Sequence, residues 1–246
     1  MGNEGVAGCV GDVLIAGQPV IAADRSRHCG RRRVQTITYG AHGVHRADTG
    51  PVEQLGLTPG AYGIVVCRPI PENSVLEIVT AWSRTRRGMP LVVVGPFGDQ
   101  DPYHVAVKAA ASDEVRFVGA IFEPERTRAL RFHAAAYLHG HTVGGTNPSL
   151  VEAMAAVNPV IAHGNAYNRW VAGPKNAYFT DADDLSTLLD ALVPDAETRR
   201  AMGAASRSRH LQEFTWEQIG AQYERALFTA IGKRPAPAHH AQGEHS

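Results

Sequence analysis

The sequence predicts an α/β fold: a doubly wound parallel sheet with extra helices at its carboxy-terminal end. Three observations carry this. From Tyr62 onward, short apolar runs alternate with segments of helical period, the pattern of repeated βαβ units. Six such runs, at 62–67, 91–94, 115–118, 136–138, 159–162 and 177–179, supply the strands. After the sixth, residues 195–214 and 215–231 read as two successive helices with no strand between them.

Taken in order, the elements start thinly. Before Tyr62 only 19–23 and 34–39 look like strands, and neither has the partners for a domain of its own, which would take on the order of 100 residues. Between the first two sheet strands, Val75, Ile78, Val79 and Trp82 fall at i, i+3, i+4 and i+7, so one face of a helix is apolar and can cover the sheet. Asn73 stands at its expected N-cap. Helical intervals follow at 103–111, 123–135, 148–156 and 183–192. The last helix carries Trp216, Ile219, Tyr223, Leu227 and Ile231 on one stripe, which needs a surface to bury it. Residues 232–246 are rich in Pro, Ala, Gly and His without apolar period, the composition of a disordered tail.

Composition excludes several classes of function. The 246 residues carry 24 basic and 24 acidic side chains and no formal net charge, so no general field attracts nucleic acid or an anionic membrane. The clusters Arg31, Arg32, Arg33 and Arg84, Arg86, Arg87 lack the interleaved aromatics of a single-strand platform and read as solvated surface. Cys9, Cys29 and Cys67 lie far apart and form no CxxC, against both a disulfide framework and a zinc site. No apolar run reaches roughly 18 residues and no signal-peptide pattern opens the chain. A soluble protein of a reducing cytoplasm is expected.

The most informative stretch is 137–154, Tyr-Leu-His-Gly-His-Thr-Val-Gly-Gly-Thr-Asn-Pro-Ser-Leu-Val-Glu-Ala-Met. It runs from a strand end through a glycine-bearing loop into a helix with Asn147 as N-cap and Pro148 at its first position. Free N–H groups and the positive end of the helix dipole suit a diphosphate there, and Gly144 and Gly145 permit close approach of a ligand to the main chain. By itself the spacing also describes a well-capped structural helix. Glu152 lies nearly opposite Leu150 and Met154 on the helix, and its carboxylate is placed to accept from a ribose diol. An exposed helical glutamate is the plain alternative.

Together with 65–73 (Val-Val-Cys-Arg-Pro-Ile-Pro-Glu-Asn), 91–96 (Leu-Val-Val-Val-Gly-Pro), 115–119 (Val-Arg-Phe-Val-Gly) and 214–217 (Phe-Thr-Trp-Glu), this stretch resembles the carboxy-terminal domain of family 4 glycosyltransferases of the GT-B fold. The closest likeness is to their bacterial rhamnosyltransferase-like branch, and it covers about residues 17–231. The resemblance implies a Rossmann-like donor domain at 46–232, after a remnant of the amino-terminal domain and interdomain segment at 1–45 and before a tail at 233–246.

The resemblance also implies roles. Arg68 matches the arginine that pairs with the donor diphosphate, a task suited to its charged fork. Asn73 stands where the usual lysine would be. Gly95 and Pro96 match the loop after the second strand, Val118 and Gly119 the main-chain contacts to the base, and Glu152 the second glutamate of an E-x7-E pattern that binds the ribose. Gly144 replaces the first glutamate. Gly145, Thr146, Asn147 and Ser149 complete the implied donor loop. His139 and His141 are the nearest titratable candidates for the leaving group, and they are expected on opposite faces of the strand end, so that at most one meets the ligand. Arg68 and His141 are the expected catalytic pair, with no metal and no cofactor beyond the nucleoside-diphosphate sugar.

The implied activity is hexosyl transfer to a sugar or lipid-linked acceptor in cell-surface polysaccharide assembly, in the cytoplasm or peripherally at the inner membrane face, without nucleic acid. Since the acceptor domain that precedes such a domain is largely missing, the rival is a truncated, non-catalytic nucleotide-sugar-binding domain, self-associating or completed by a separate chain. A dinucleotide oxidoreductase is set aside because no GxGxxG follows the first strand.

Overall fold

The structure, a computed structural model, describes residues 13–29 and 34–231. The expected tail, the Arg31–Arg33 cluster, Cys9 and the side chain of Cys29 lie outside the described residues. The chain divides into two compact units, one formed by Tyr39–Trp216 and the other by Met1–Thr38 with Glu217–Ser246.

The smaller unit contains β1 (Leu14–Ala16), α1 (Pro19–Cys29) and β2 (Val34–Thr36). Its two strands pair in parallel, Leu14 against Val34 and Ala16 against Thr36, so the helix is the crossover that parallel strands require. Residues 19–23, expected as a strand, therefore open a helix instead. A five-residue apolar run does not separate the two states by period. Pro19 at the first helical position favours the helix, and Ser26 Oγ donates back to Ala22 O at 2.7 Å. The strand lies just upstream of the expected run.

The larger unit begins with α2 (Gly50–Glu53) and β3 (Gly63–Val66), then a 3-10 turn at Pro71–Asn73 and α3 (Val75–Ser83). It continues with β4 (Leu91–Val94), α4 (Pro102–Ala109), β5 (Val115–Phe117), α5 (Pro124–Phe132), β6 (Ala136–His139) and α6 (Pro148–Ala155). It closes with β7 (Val160–His163), α7 (Ala166–Ala172), β8 (Ala177–Phe179), α8 (Ala182–Leu192) and α9 (Ala196–Glu213). The sheet has six parallel strands in the order β5-β4-β3-β6-β7-β8. The chain thus builds outward from β3 to one edge, returns to β6 beside it, and builds to the other edge. The carboxyl ends of β3 and β6 form the topological switch point, where open α/β sheets bind ligands.

Alternation along the strands fills a core on each face. Val92 and Val94 join Ile64, Tyr137, Val160, Leu150 and Met154, whereas Leu91 and Val93 join Leu138, Ile161, Ile78, Trp82 and Leu185. The four apolar residues expected on one face of α3 are all buried there. Trp82 packs so closely on β3 that a Cβ on Gly63 would stand 2.6 Å from its ring, which explains a glycine at the head of a central strand.

Asn73 does not cap α3. It ends the 3-10 turn and its Nδ2 donates to Arg68 O at 2.8 Å, while Ser74, with φ of 46°, takes the cap position. The segment before α2 belongs with the sheet: Ala41 N donates to Phe214 O and Val44 N to Ala155 O. These bonds tie the chain from Ala41 onward to the larger unit. The last helix, α10 (Trp216–Ala230), falls with the smaller unit from Glu217 onward. There Ile219 and Ala226 are buried with Ile37, but Tyr223, Leu227 and Ile231 of the expected stripe are exposed.

Candidate functional site

At the switch point the loops after β3 and β6 meet backbone to backbone. A Cβ on Gly140 would stand 2.2 Å from Asn73 O, and Thr142 donates to Glu72 O from its N–H at 2.8 Å and its hydroxyl at 3.0 Å. From the far side, α7 clamps the same loop, Asn165 and Asn168 donating from Nδ2 to His141 O at 2.8 and 2.9 Å. Sequence reasoning missed α7 and both asparagines. Their signal was present, because Asn165 caps the helix on Asn168 N and follows Gly164, a stop-and-start pattern.

The predicted glycines divide by what surrounds them. Gly95 is a packing position, since a Cβ there would lie 2.4 Å from Cys67 O. Gly119 (φ 76°) and Gly144 (φ 114°) have nothing within 4 Å of a built Cβ, so their main chain is open to a ligand. Pro96 is exposed beside Gly95, Val118 is half-buried, and Gly145 and Thr146 are half-buried in the loop before α6. Arg68 is exposed just after β3, its positive charge close enough to His141 to disfavour protonation there.

His139 and His141 are not on opposite faces. Their rings stack at 4.3 Å with planes 9° apart, and His139 stacks in turn on Tyr137 at 5.9 Å. The reason is the strand period: residues i and i+2 point the same way, so Tyr137, His139 and His141 form one column, and the expectation had inverted that period. His139 is buried, and neither ring nitrogen has a partner among the described residues. Burial, then His141 and Arg131, push its pKa well below the usual histidine value. Burial and the Arg68 charge bring His141 down to about 4. Both imidazoles are neutral at pH 7, so they can exchange hydrogen bonds or accept a proton but do not supply a resident positive charge.

The start of α6 is built as the sequence suggested. Asn147 Oδ1 accepts from Ser149 N at 3.0 Å, and Pro148 occupies the first helical position. Ser149 Oγ donates to Val66 O at 3.1 Å, lies 2.7 Å from the Tyr137 hydroxyl, and accepts from Arg131 Nη2 at 2.8 Å. The other arm of Arg131, Nη1, reaches Glu152 Oε2 at 2.9 Å. Glu152 stands on the wall of a cavity of about 510 Å³, with Tyr39, His42, Ile121, Arg128 and Trp216 among its lining. Of the predicted site residues only Glu152 lines this cavity; Arg68, Asn73, His139 and His141 gather at the switch point beside it.

Arg131 and the aromatic wall of Tyr39 and Trp216, whose rings meet edge to face at 5.1 Å, were not legible as site residues. Arg131 is the third arginine of a charged helix with Arg126 and Arg128, and only its burial sets it apart. Among the described residues no group of three or more His, Cys, Asp or Glu is placed to hold a metal ion, and no helix is long and apolar enough to cross a membrane.

The sequence matches no protein-family model and no curated protein. Solved structures do match. Sucrose-phosphate synthase from Thermosynechococcus elongatus superposes with a TM-score of 0.74 at 20% identity, over 90% of this chain and 59% of that one. The Anabaena protein HepE, in complex with UDP-glucose, gives 0.74 at 17% identity, over 89% of this chain and 64% of its own. A glycosyltransferase from Rickettsia africae ESF-5 gives 0.76 at 10% identity, over 91% and 64%. The chain therefore spans under two thirds of the length of each of these three. What it shares with these GT-B glycosyltransferases is the fold, a Rossmann-like parallel sheet of six strands flanked by helices.

Proposed function

We propose that the larger unit holds a nucleoside-diphosphate sugar and serves as the donor domain of a glycosyltransferase. The observation that carries this is Glu152: a carboxylate fixed on the wall of a large cavity, one turn into a helix that starts at a capping Asn147. The carboxylate accepts hydrogen bonds from the ribose diol, and the helix start, with Arg68, receives the diphosphate. Gly119 offers its open main chain near the base. UDP, present in complexes of the similarly folded HepE, is the first nucleotide to try.

In the transfer, the bond from the sugar's anomeric carbon to the diphosphate oxygen breaks and its electron pair stays with the diphosphate. Arg68 and the α6 dipole stabilise that growing charge. The acceptor hydroxyl forms the new bond and gives its proton to the departing diphosphate oxygen. His141, neutral and beside Arg68, donates a hydrogen bond to the leaving oxygen. The family 4 resemblance adds retention of configuration, a rhamnosyltransferase-like branch, a sugar or lipid-linked acceptor, and a role in cell-surface polysaccharide. An acceptor-binding part completes the cleft in this reading.

Titration calorimetry of the chain with UDP, TDP and GDP tests the binding step. Weak binding of at least one is expected, and no heat from any at millimolar ligand overturns the reading. Arg68→Ala should then weaken the bound nucleotide by about 1.5 to 3 kcal/mol, the worth of a charge-assisted hydrogen bond, without moving the melting temperature. An unchanged affinity places the diphosphate elsewhere.

A further inference from the structure

We infer that Arg131 is a positioning residue: its buried fork holds the Glu152 carboxylate in the orientation that reads a ribose diol. The inference rests on the donor reading above and extends it to a residue that no resemblance assigns.

Arg131 is peculiar for where it lies. Its side chain is 8% exposed, against 39% for Glu152, on a helix whose Arg128 is half-exposed and paired with Glu125. A guanidinium out of water is costly unless it is paired and hydrogen-bonded. Here each arm has its own task. Nη1 grips one carboxylate oxygen, Glu152 Oε2, while Nη2 is tied to Ser149 Oγ. That hydroxyl is itself anchored to β3 through Val66 O and to β6 through Tyr137. At the helix end, Arg131 O accepts from the buried Asn158 Nδ2 at 2.7 Å, which fixes the backbone that carries the fork. The guanidinium is therefore immobilised by three elements, and its free arm ends on the one acidic side chain at the cavity wall.

The consequence concerns Glu152, not the ligand. A half-exposed helical glutamate normally samples several rotamers, and a diol recognised by a wandering carboxylate must bear the cost of ordering it. With Oε2 held by Arg131, the carboxylate is ordered in advance and Oε1 is left to accept from vicinal hydroxyls. Because Ser149 sits in the first turn of α6, the same fork couples the ribose acceptor rigidly to the helix start proposed for the diphosphate.

The test compares UDP with 2′-deoxy-UDP, which keeps the base and diphosphate and removes one diol hydroxyl. Wild type should favour UDP by about tenfold, as expected for one hydrogen bond to a charged acceptor, and Glu152→Gln should bring that ratio toward one. Arg131→Met and Arg131→Lys should do the same while 2′-deoxy-UDP affinity stays within about threefold of wild type. Ser149→Ala, which frees the far arm and leaves both charges in place, should lower the ratio part of the way and serves should the Arg131 variants not fold. Equal weakening of both nucleotides in every variant that folds would mean a purely structural pillar and overturns the inference. So does a wild-type ratio retained in a folded Arg131 variant or, where none folds, in Ser149→Ala, and the donor reading then stands. A wild-type ratio near one, or no binding of either nucleotide, removes the diol reading itself and the inference with it.

Discussion

Two clusters of polar side chains meet at Tyr137 and could hardly be built more differently. Above its ring, His139 and His141 stack in a neutral column in which both His139 nitrogens and His141 Nδ1 have no partner among the described residues. At its hydroxyl, Ser149, Arg131 and Glu152 form a hydrogen-bonded chain that ends in a half-exposed carboxylate. The imidazoles come from a strand end, where successive same-face residues continue the core's column outward, from buried His139 to half-buried His141. The charged chain crosses between two helices, where long side chains reach water at one end and the sheet at the other. Charge is thus concentrated in the helix pair, and the end of β6 carries neutral imidazoles.

The largest effect should come from the residue both clusters share. Tyr137→Ala removes a fully buried ring and the hydroxyl contact to Ser149, and should cost about 3 to 5 kcal/mol of stability, as large-to-small aromatic changes do. Denaturant unfolding measures it, and a loss below about 1 kcal/mol would show that the two clusters do not depend on this floor.

A smaller effect separates the clusters by pH. Burial lowers both histidines in the folded state relative to the ordinary value of 6.5. Between 6.5 and about 4, the folded value of His141, the unfolded chain binds protons that the folded chain refuses, so stability is present above pH 6.5 and falls as pH drops through this window. Melting temperatures across the window should decline less steeply in a His139→Leu/His141→Gln variant. An identical slope would mean that the column is hydrated and titrates normally.

The smallest effect is the most telling. His139→Leu replaces a buried ring with no hydrogen-bond partner among the described residues by an apolar side chain, and should be neutral or stabilising by up to about 1 kcal/mol. A clear loss of stability would instead reveal a bound water satisfying those nitrogens.

How far the sequence could be read follows from the same physics. Leu91–Val94 was legible to the residue because a strand buried on both faces is a continuous apolar run. The α6 start was legible because Asn-Pro is a local signal that needs no tertiary context. Residues 19–23 were misread since β-branched Val20 and Ile21 favour a strand locally, and the helix is decided by the proline before them and the crossover it serves. Asn73 was misread because a cap and a turn end use the same residue type, and only the fold shows which carbonyl its side chain reaches. Arg131 was invisible for a simpler reason, that sequence does not record which of three arginines on a helix is out of water. The histidine column was legible and was missed only through an inverted strand period.

Gly144 has a consequence for how this loop can change over time. The glycine stands where the resembled pattern carries a glutamate, and its φ of 114° lies in a region that side chains with a Cβ rarely adopt. Restoring a glutamate there would cost on the order of 1 to 3 kcal/mol in backbone strain even with open space around it. A single codon change to an acidic residue at this position thus meets a barrier set by the backbone itself. Change in this loop is therefore expected to be accepted at Gly145 and Thr146, whose φ is not positive, more readily than at Gly144.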